Sequence, residues 1–168
     1  MAEVSVHLPP VEQRRAESAS AAETRAMGER LGGVLRAGDF VGLVGDLGAG
    51  KTELVRGIAE GLDVERSQVA SPTFAIVYPY EGGRLTLFHA DLYRLADYDE
   101  LYATGFLDLV GSSGAVVVEW IDRIWQAAPE DALIVTLEPA PPSEPDRRTL
   151  HARAHGPRSS QLLKDWLD

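Results

Sequence analysis

Apolar residues in this chain fall into short blocks, some with the two-residue period of strands and others with the 3.6-residue period of helices. Val4–Leu8 alternates enough for a short strand, which the Pro9-Pro10 pair ends. Ser20-Ala21-Ala22-Glu23 has the spacing of a capping box, and Met27, Leu31, Val34 and Leu35 then recur helically until Gly38. Phe40–Val44 is a short apolar run of the kind that forms a buried strand. After a glycine-rich stretch, Leu54, Val55, Ile58, Ala59 and Leu62 share one helical face, with Gly61 near its end. Phe74–Tyr80 and Arg84–His89 flank Glu81-Gly82-Gly83 and predict a β-hairpin. Asp97–Tyr102 reads as a short helix capped by Asp97. The valine-rich run Ala115–Val118 predicts a buried strand with Glu119 at its exit. Ala132–Leu137 and Arg148–Ala154 predict two more strands, joined by Glu138–Asp146, a loop with four prolines. Ser159 or Ser160 is placed to cap a last helix through Trp166. Strands outnumber helices, which predicts an α/β fold with a mixed, partly antiparallel sheet flanked by helices.

Length and charge narrow the class. At 168 residues the chain is expected to form a single domain spanning residues 1–168. A net charge of −10 argues against a free-standing nucleic-acid binder, because such a surface repels phosphate backbones. Without cysteine there are no disulfides, thiolate metal sites or cysteine nucleophiles. No apolar run approaches membrane-spanning length and no basic-then-apolar leader is visible, so a cytoplasmic protein with no membrane partner is expected.

The glycine-rich stretch carries the chemistry. Gly45-Asp46-Leu47-Gly48-Ala49-Gly50-Lys51-Thr52 fits GxxxxGK(S/T) between a predicted strand and a predicted helix. With 16 glycines and two lysines in the chain, a chance match is expected only about 0.002 times. Glycines let consecutive amides line a concave nest for phosphate oxygens, and the following helix adds its positive dipole end. Lys51 is placed to bridge the β- and γ-phosphates and the Thr52 hydroxyl to coordinate Mg²⁺. The predicted ATP-binding residues are therefore Asp46, Leu47, Gly48, Ala49, Gly50, Lys51 and Thr52. Fourteen of the sixteen basic residues are arginine, yet this position is a lysine, whose compact ammonium fits between two phosphates. Asparagine is absent, so the Asn-Lys-x-Asp motif that reads guanine cannot occur, and ATP is favoured by elimination.

Hydrolysis needs a further acid to hold Mg²⁺ or position water, usually on a neighbouring strand. Glu119 leaves a strand of valines. Asp91 ends the run Leu85–Asp91 with His89 on the same face, two residues earlier. Each acid is alternatively a strand or turn cap, but a phosphate loop in the same chain favours the functional role. Glu119, Asp91 and Lys51 are thus the candidate catalytic residues, with Thr52 and Glu119 as Mg²⁺ ligands. Asp91 enters a DLYR turn that reads as mobile. His89 is either a proton relay or a structural histidine. Arg94 either supplies positive charge or pairs with Asp91. Thr73, after Ser71-Pro72, is either a switch residue sensing γ-phosphate or part of a simple turn. Tyr78, Tyr80, Tyr93 and Trp120 read as sheet packing.

The segments GDLGAGKT (45–52), SPTF (71–74), HADLYRL (89–95) and VEW (118–120), in that order, resemble the TsaE (YjeE) family over residues 20–125. The resemblance implies a P-loop ATPase needed to form N6-threonylcarbamoyladenosine at position 37 of tRNAs that read codons beginning with A. It implies ATP and Mg²⁺ as cofactors and the TsaB–TsaD pair as partners, with tRNA met only through that complex. The family's magnesium threonine falls on Thr52, its HxDLYR aspartate on Asp91 and its VEW glutamate on Glu119. Glu53 departs from the family's usual Thr or Ser, and no family motif aligns in the last forty or so residues. Two other functions compete: a small-molecule kinase, for which Arg147 and Arg148 would be weak evidence of a lid, and a nucleotide sensor that binds without hydrolysis.

Overall fold

The uninterrupted apolar runs become the middle of a sheet. Phe40–Val44 forms β2, Ala115–Glu119 forms β5 and Leu133–Glu138 forms β6; β2 lies parallel to and between the other two. Strands covered on both faces are apolar at nearly every position, as these three are. Leu87–Asp91, β4, extends the parallel set beyond β5, and Val77–Tyr80, β3, closes that side antiparallel to β4. On the other side Arg148–Ala154, β7, runs antiparallel to β6, and Glu12–Ser18, β1, runs antiparallel to β7. Among the described residues the strand order is β1-β7-β6-β2-β5-β4-β3. This computed structural model describes residues 9–46, 48–65 and 77–168. The expected strand Val4–Leu8, together with Leu47 and Thr73, lies outside the described residues.

Among the described residues, three helices cover one face: α1, Ala21–Val34; α2, Lys51–Gly61; and, counting α3 (Tyr98–Ala103) on the opposite face, α4, Pro157–Leu167. Leu31, Leu54, Ile58 and Trp166 pack there on Leu43, Val117, Val135 and Leu150. The opposite face packs α3 and single turns at Phe106–Leu109, Ile121–Arg123 and Trp125–Ala127 on Phe40, Ala90, Val116 and Val118.

The pairing of α1 with α2 depends on residues whose meaning the sequence reading missed. Gly28 and Gly32 of α1 face Gly57 and Gly61 of α2, each pair four residues apart. A Cβ on Gly28 would meet the Leu54 carbonyl oxygen, and one on Gly57 the carbonyl oxygen of Arg25. The helices thus touch backbone to backbone, a contact that only glycine permits. Its effect is to fix α2, whose amino end follows the phosphate loop.

Several expected boundaries shift. Helix α1 starts as predicted, with the Ser20 side chain accepting from the Glu23 amide, but ends at Val34 rather than Gly38. Arg84, from the β3–β4 connection, donates to the carbonyls of Leu35 and Gly32, satisfying the end of that helix from outside. Neither Ser159 nor Ser160 is the N-cap of helix α4, but Ser159 takes part in its capping box, its hydroxyl accepting the Gly156 amide at 3.1 Å. Gly156 is the N-cap, and Asp131, from before β6, accepts the amides of Arg158 and Ser159 at 2.8 Å each. The β3–β4 connection spans 81–86 instead of three residues. Strand β1 was not expected, because its sequence is EQRRAES; as an edge strand it turns mostly charged side chains to solvent.

Candidate functional site

The loop Gly45–Thr52 leaves the carboxyl end of β2 and turns into α2, whose N-cap, Gly50, has φ 99°. That left-handed conformation is one a side chain would strain, so the glycine is required where the loop enters the helix. Gly48 and Ala49 complete the described part of the loop beside Asp46. Lys51 and Thr52 begin the helix, with Thr52 half-buried in its first turn. Open amides at such a helix start, with the dipole behind them, are suited to an anion.

Lys51 is only 5% exposed. Its ammonium donates to the carbonyls of Gly45 and Asp46, the latter at 3.0 Å, and lies 4.3 Å above the Trp120 ring. Burial pushes its pKa down, while Glu119, Asp91, Asp122 and Asp46 pull it back up. Trp120 is therefore more than sheet packing. It has φ 59°, an outlier for a bulky residue, at the step immediately after Glu119. Its strained backbone carries the ring over Lys51 and against Tyr93, whose centroid is 4.8 Å away.

The two predicted acids sit side by side. Glu119, the last residue of β5, is paired with Leu43 of β2 on one side and with Asp91 of β4 on the other. The parallel register puts both carboxylates at the end of the sheet from which the phosphate loop departs. Glu119 is 3% exposed, and its Oε2 lies 2.5 Å from Nε2 of His89, which is fully buried. With Glu119 as a carboxylate, which can only accept, this contact has Nε2 as its donor. In the neutral ring Nδ1 then accepts from the Tyr80 hydroxyl at 3.3 Å. His89 is thus a fixed buttress of Glu119.

Asp91 is the end of a strand rather than part of a mobile turn. It is half-buried, and its Oδ1 accepts the Tyr93 amide at 2.9 Å. Burial raises its pKa and Glu119 adds to the rise; the Tyr93 amide, His89 and Lys51 oppose it. A buried acid beside a second acid is suited to a cation. Thr52, Asp91 and Glu119 offer the hard oxygen donors that Mg²⁺ prefers, and Mg²⁺ typically takes one or two carboxylates, completing its shell with phosphate and water. Among the described residues no group of three His, Asp or Glu side chains forms an all-protein metal cage.

Two further arginine-linked features went unread. Glu53, which departs from the family pattern, is held by Arg25 of α1 at 3.1 Å and Arg56 at 2.6 Å, so its charge is compensated. Arg148, at the start of β7, donates to the carbonyls of Ala49 and Gly48. Arg147 pairs with Glu17 and Glu144. Neither arginine forms a lid.

A parallel central sheet, with a glycine loop running from its middle strand into a helix and an acid on the adjoining strand, defines a P-loop NTPase-like protein. A crystal structure of YdiB from Bacillus subtilis superposes with a TM-score of 0.76 and 29% identity, covering 92% of this chain and 94% of that one. The model of the family described as "Threonylcarbamoyl adenosine biosynthesis protein TsaE" matches residues 18–149. Proteins named tRNA threonylcarbamoyladenosine biosynthesis protein TsaE are similar too. The one from Treponema pallidum is 39% identical over 73% of this chain and 90% of its own length. Those from Bacillus subtilis and Streptomyces coelicolor are 36% and 45% identical, over 85% and 69% of this chain and 87% and 79% of their own lengths. The chain belongs to the TsaE family.

Proposed function

We propose that this protein is the ATP-hydrolysing component of tRNA threonylcarbamoyladenosine formation, working with the TsaB–TsaD pair. The observation that carries the reading is the register of β2, β5 and β4, which sets Glu119 and Asp91 beside the loop that holds Lys51. A non-hydrolysing sensor has no need of two carboxylates there.

In this reading the amides of Gly48 and of 50–52 and the Lys51 ammonium bind the β- and γ-phosphates, while the Ala49 amide stays on the Asp46 carbonyl at 3.0 Å. To reach them, Lys51 exchanges its carbonyl partners on Gly45 and Asp46 for phosphate oxygens. Thr52 and Glu119 would hold Mg²⁺, which when bound neutralises charge on the phosphates. His89 keeps Glu119 in one rotamer, and Asp91 orients water or the switch segment that includes Thr73. Partner binding is expected to raise turnover, because among the described residues the arginine bonded to the phosphate loop, Arg148, is engaged by the carbonyls of Gly48 and Ala49, and tRNA is met through the partners. Among the described residues no helix is long and apolar enough to cross a membrane, which suits work in the cytoplasm.

The test is equilibrium binding of ATP and GTP with and without Mg²⁺, followed by phosphate release with and without TsaB and TsaD. The expected result is Mg²⁺-dependent preference for ATP and turnover that rises with partners. Fast turnover unchanged by partners would overturn the stimulation, and no nucleotide binding would overturn the whole reading.

A further inference from the structure

The proline-rich connection 139–147 ends at Arg148, whose guanidinium makes four hydrogen bonds, all to backbone carbonyls. Its Nε donates to Ala49 at 2.9 Å and one terminal nitrogen to Gly48 at 3.0 Å. The other terminal nitrogen donates to Pro145 at 2.7 Å and to Arg147 at 2.8 Å. One planar cation thus ties two consecutive peptide groups of the phosphate loop to a loop about a hundred residues later in the chain. The side chain also lies against Gly50, where a Cβ would come within 3.6 Å of the Arg148 Nε.

We infer that Arg148 is a positioning residue that holds the phosphate loop in its nucleotide-binding shape; the nucleotide part of this rests on the function proposed above. The physical reason is peptide planarity. In a trans peptide the C=O and the next N–H point in opposite directions. Turning the Ala49 carbonyl onto Arg148 therefore turns the Gly50 amide away from it. Gly48 and Gly50 both have positive φ, at 80° and 99°, and glycine peptides flip readily in solution. An external fork that grips both carbonyls removes that freedom before nucleotide arrives, so less ordering remains to be done on binding. The grip requires the fork. A lysine keeps the charge but cannot direct planar donors at two carbonyls on one side and two on the other.

The experiment compares wild type, Arg148→Lys, Arg148→Gln and, as a control on the neighbouring side chain, Arg147→Ala. Amide hydrogen exchange without nucleotide is the first readout, and ATP and ADP affinities are the second. Faster exchange confined to residues 45–52 is expected in both Arg148 variants, with the Lys variant no better than Gln. ATP and ADP should each bind at least about tenfold more weakly, while kcat at saturating ATP changes much less than KM. Arg147→Ala should match wild type in both readouts. Unchanged loop exchange in the Arg148 variants, rescue by lysine, or a fall in kcat at unchanged affinity would each overturn the inference. Wild type that binds no nucleotide would sink the proposed function alone, since loop exchange still decides the role of Arg148.

Discussion

Lys51 illustrates at one residue how binding potential is stored. Burial lowers its pKa, so the fold pays for holding the charge below that lowered value; the penalty fades as pH rises from there toward the ordinary lysine value, so stability increases over that interval. Lys51→Met, which keeps an apolar stem against Trp120 and deletes the charge, should therefore melt at the same temperature as wild type or higher at pH 7. The same variant should lose ATP binding and measurable turnover. Calorimetric melting and nucleotide titration check both halves, and a large loss of stability together with normal ATP binding would contradict them. The loop glycines, Lys51 and Thr52 stand out in the sequence by their spacing, and Asp91 and Glu119 as acids ending apolar runs; that the two acids lie side by side is what the strand register adds. Trp120 and Arg148 do not stand out, because a strained φ and a contact across about a hundred residues leave no local pattern.

Among the elements, the α1–α2 pair and the start of α4 each make a separate claim. Gly57→Ala sets a methyl group against the Arg25 carbonyl oxygen, where backbone has to move. A destabilisation of about 1–3 kcal/mol is expected, or a melting temperature lower by about 2–4 °C per kcal/mol. Gly33→Ala, where a Cβ meets nothing within 4 Å, is the matching control and should be neutral or stabilising. Equal melting of the two variants would refute the close contact. Helix α4 depends on Asp131. Burial pushes its pKa up, but the Ser159 side chain, the amides of Ser159 and Arg158, and the Arg158 charge outweigh burial and lower it overall. A lowered carboxylate pKa stabilises above its unfolded value and loses that contribution as pH falls through the folded one. Asp131→Ala should cost about 1–2 kcal/mol at pH 7, the scale of a lost helix cap. The gap from wild type should narrow as pH drops through and below the ordinary aspartate range. Melting curves at pH 7 and in that acid range test this, and a gap that stays constant would contradict the capping role. Apolar blocks predicted β2, β5, β6, β7 and α2 well. Strand β1 was missed because its charged residues satisfy a solvent-facing edge; of the α4 cap, Ser159 was legible within the helix, but Asp131 was not, because it comes from another part of the chain.

On the scale of the whole molecule, the sheet centre holds the loop-bearing strand, and its two neighbours on one side deliver the acids to the same edge. The cation at the loop and the acids beside it lie within a molecule of net charge −10. In the proposed function, that overall charge suits a subunit that leaves most of the tRNA contact to its partners. The central claim is hydrolysis of ATP with Glu119 as the key acid, and one comparison tests it most directly. ATP affinity and single-turnover rate are measured for wild type, Glu119→Gln and Asp91→Asn, each with TsaB and TsaD present. Glu119→Gln should bind ATP within a few-fold of wild type and hydrolyse it at least about a hundredfold more slowly, the scale of one lost transition-state contact, with a smaller loss for Asp91→Asn. Wild-type hydrolysis by Glu119→Gln, with Asp91→Asn inactive, would contradict the assignment and transfer the central role to Asp91.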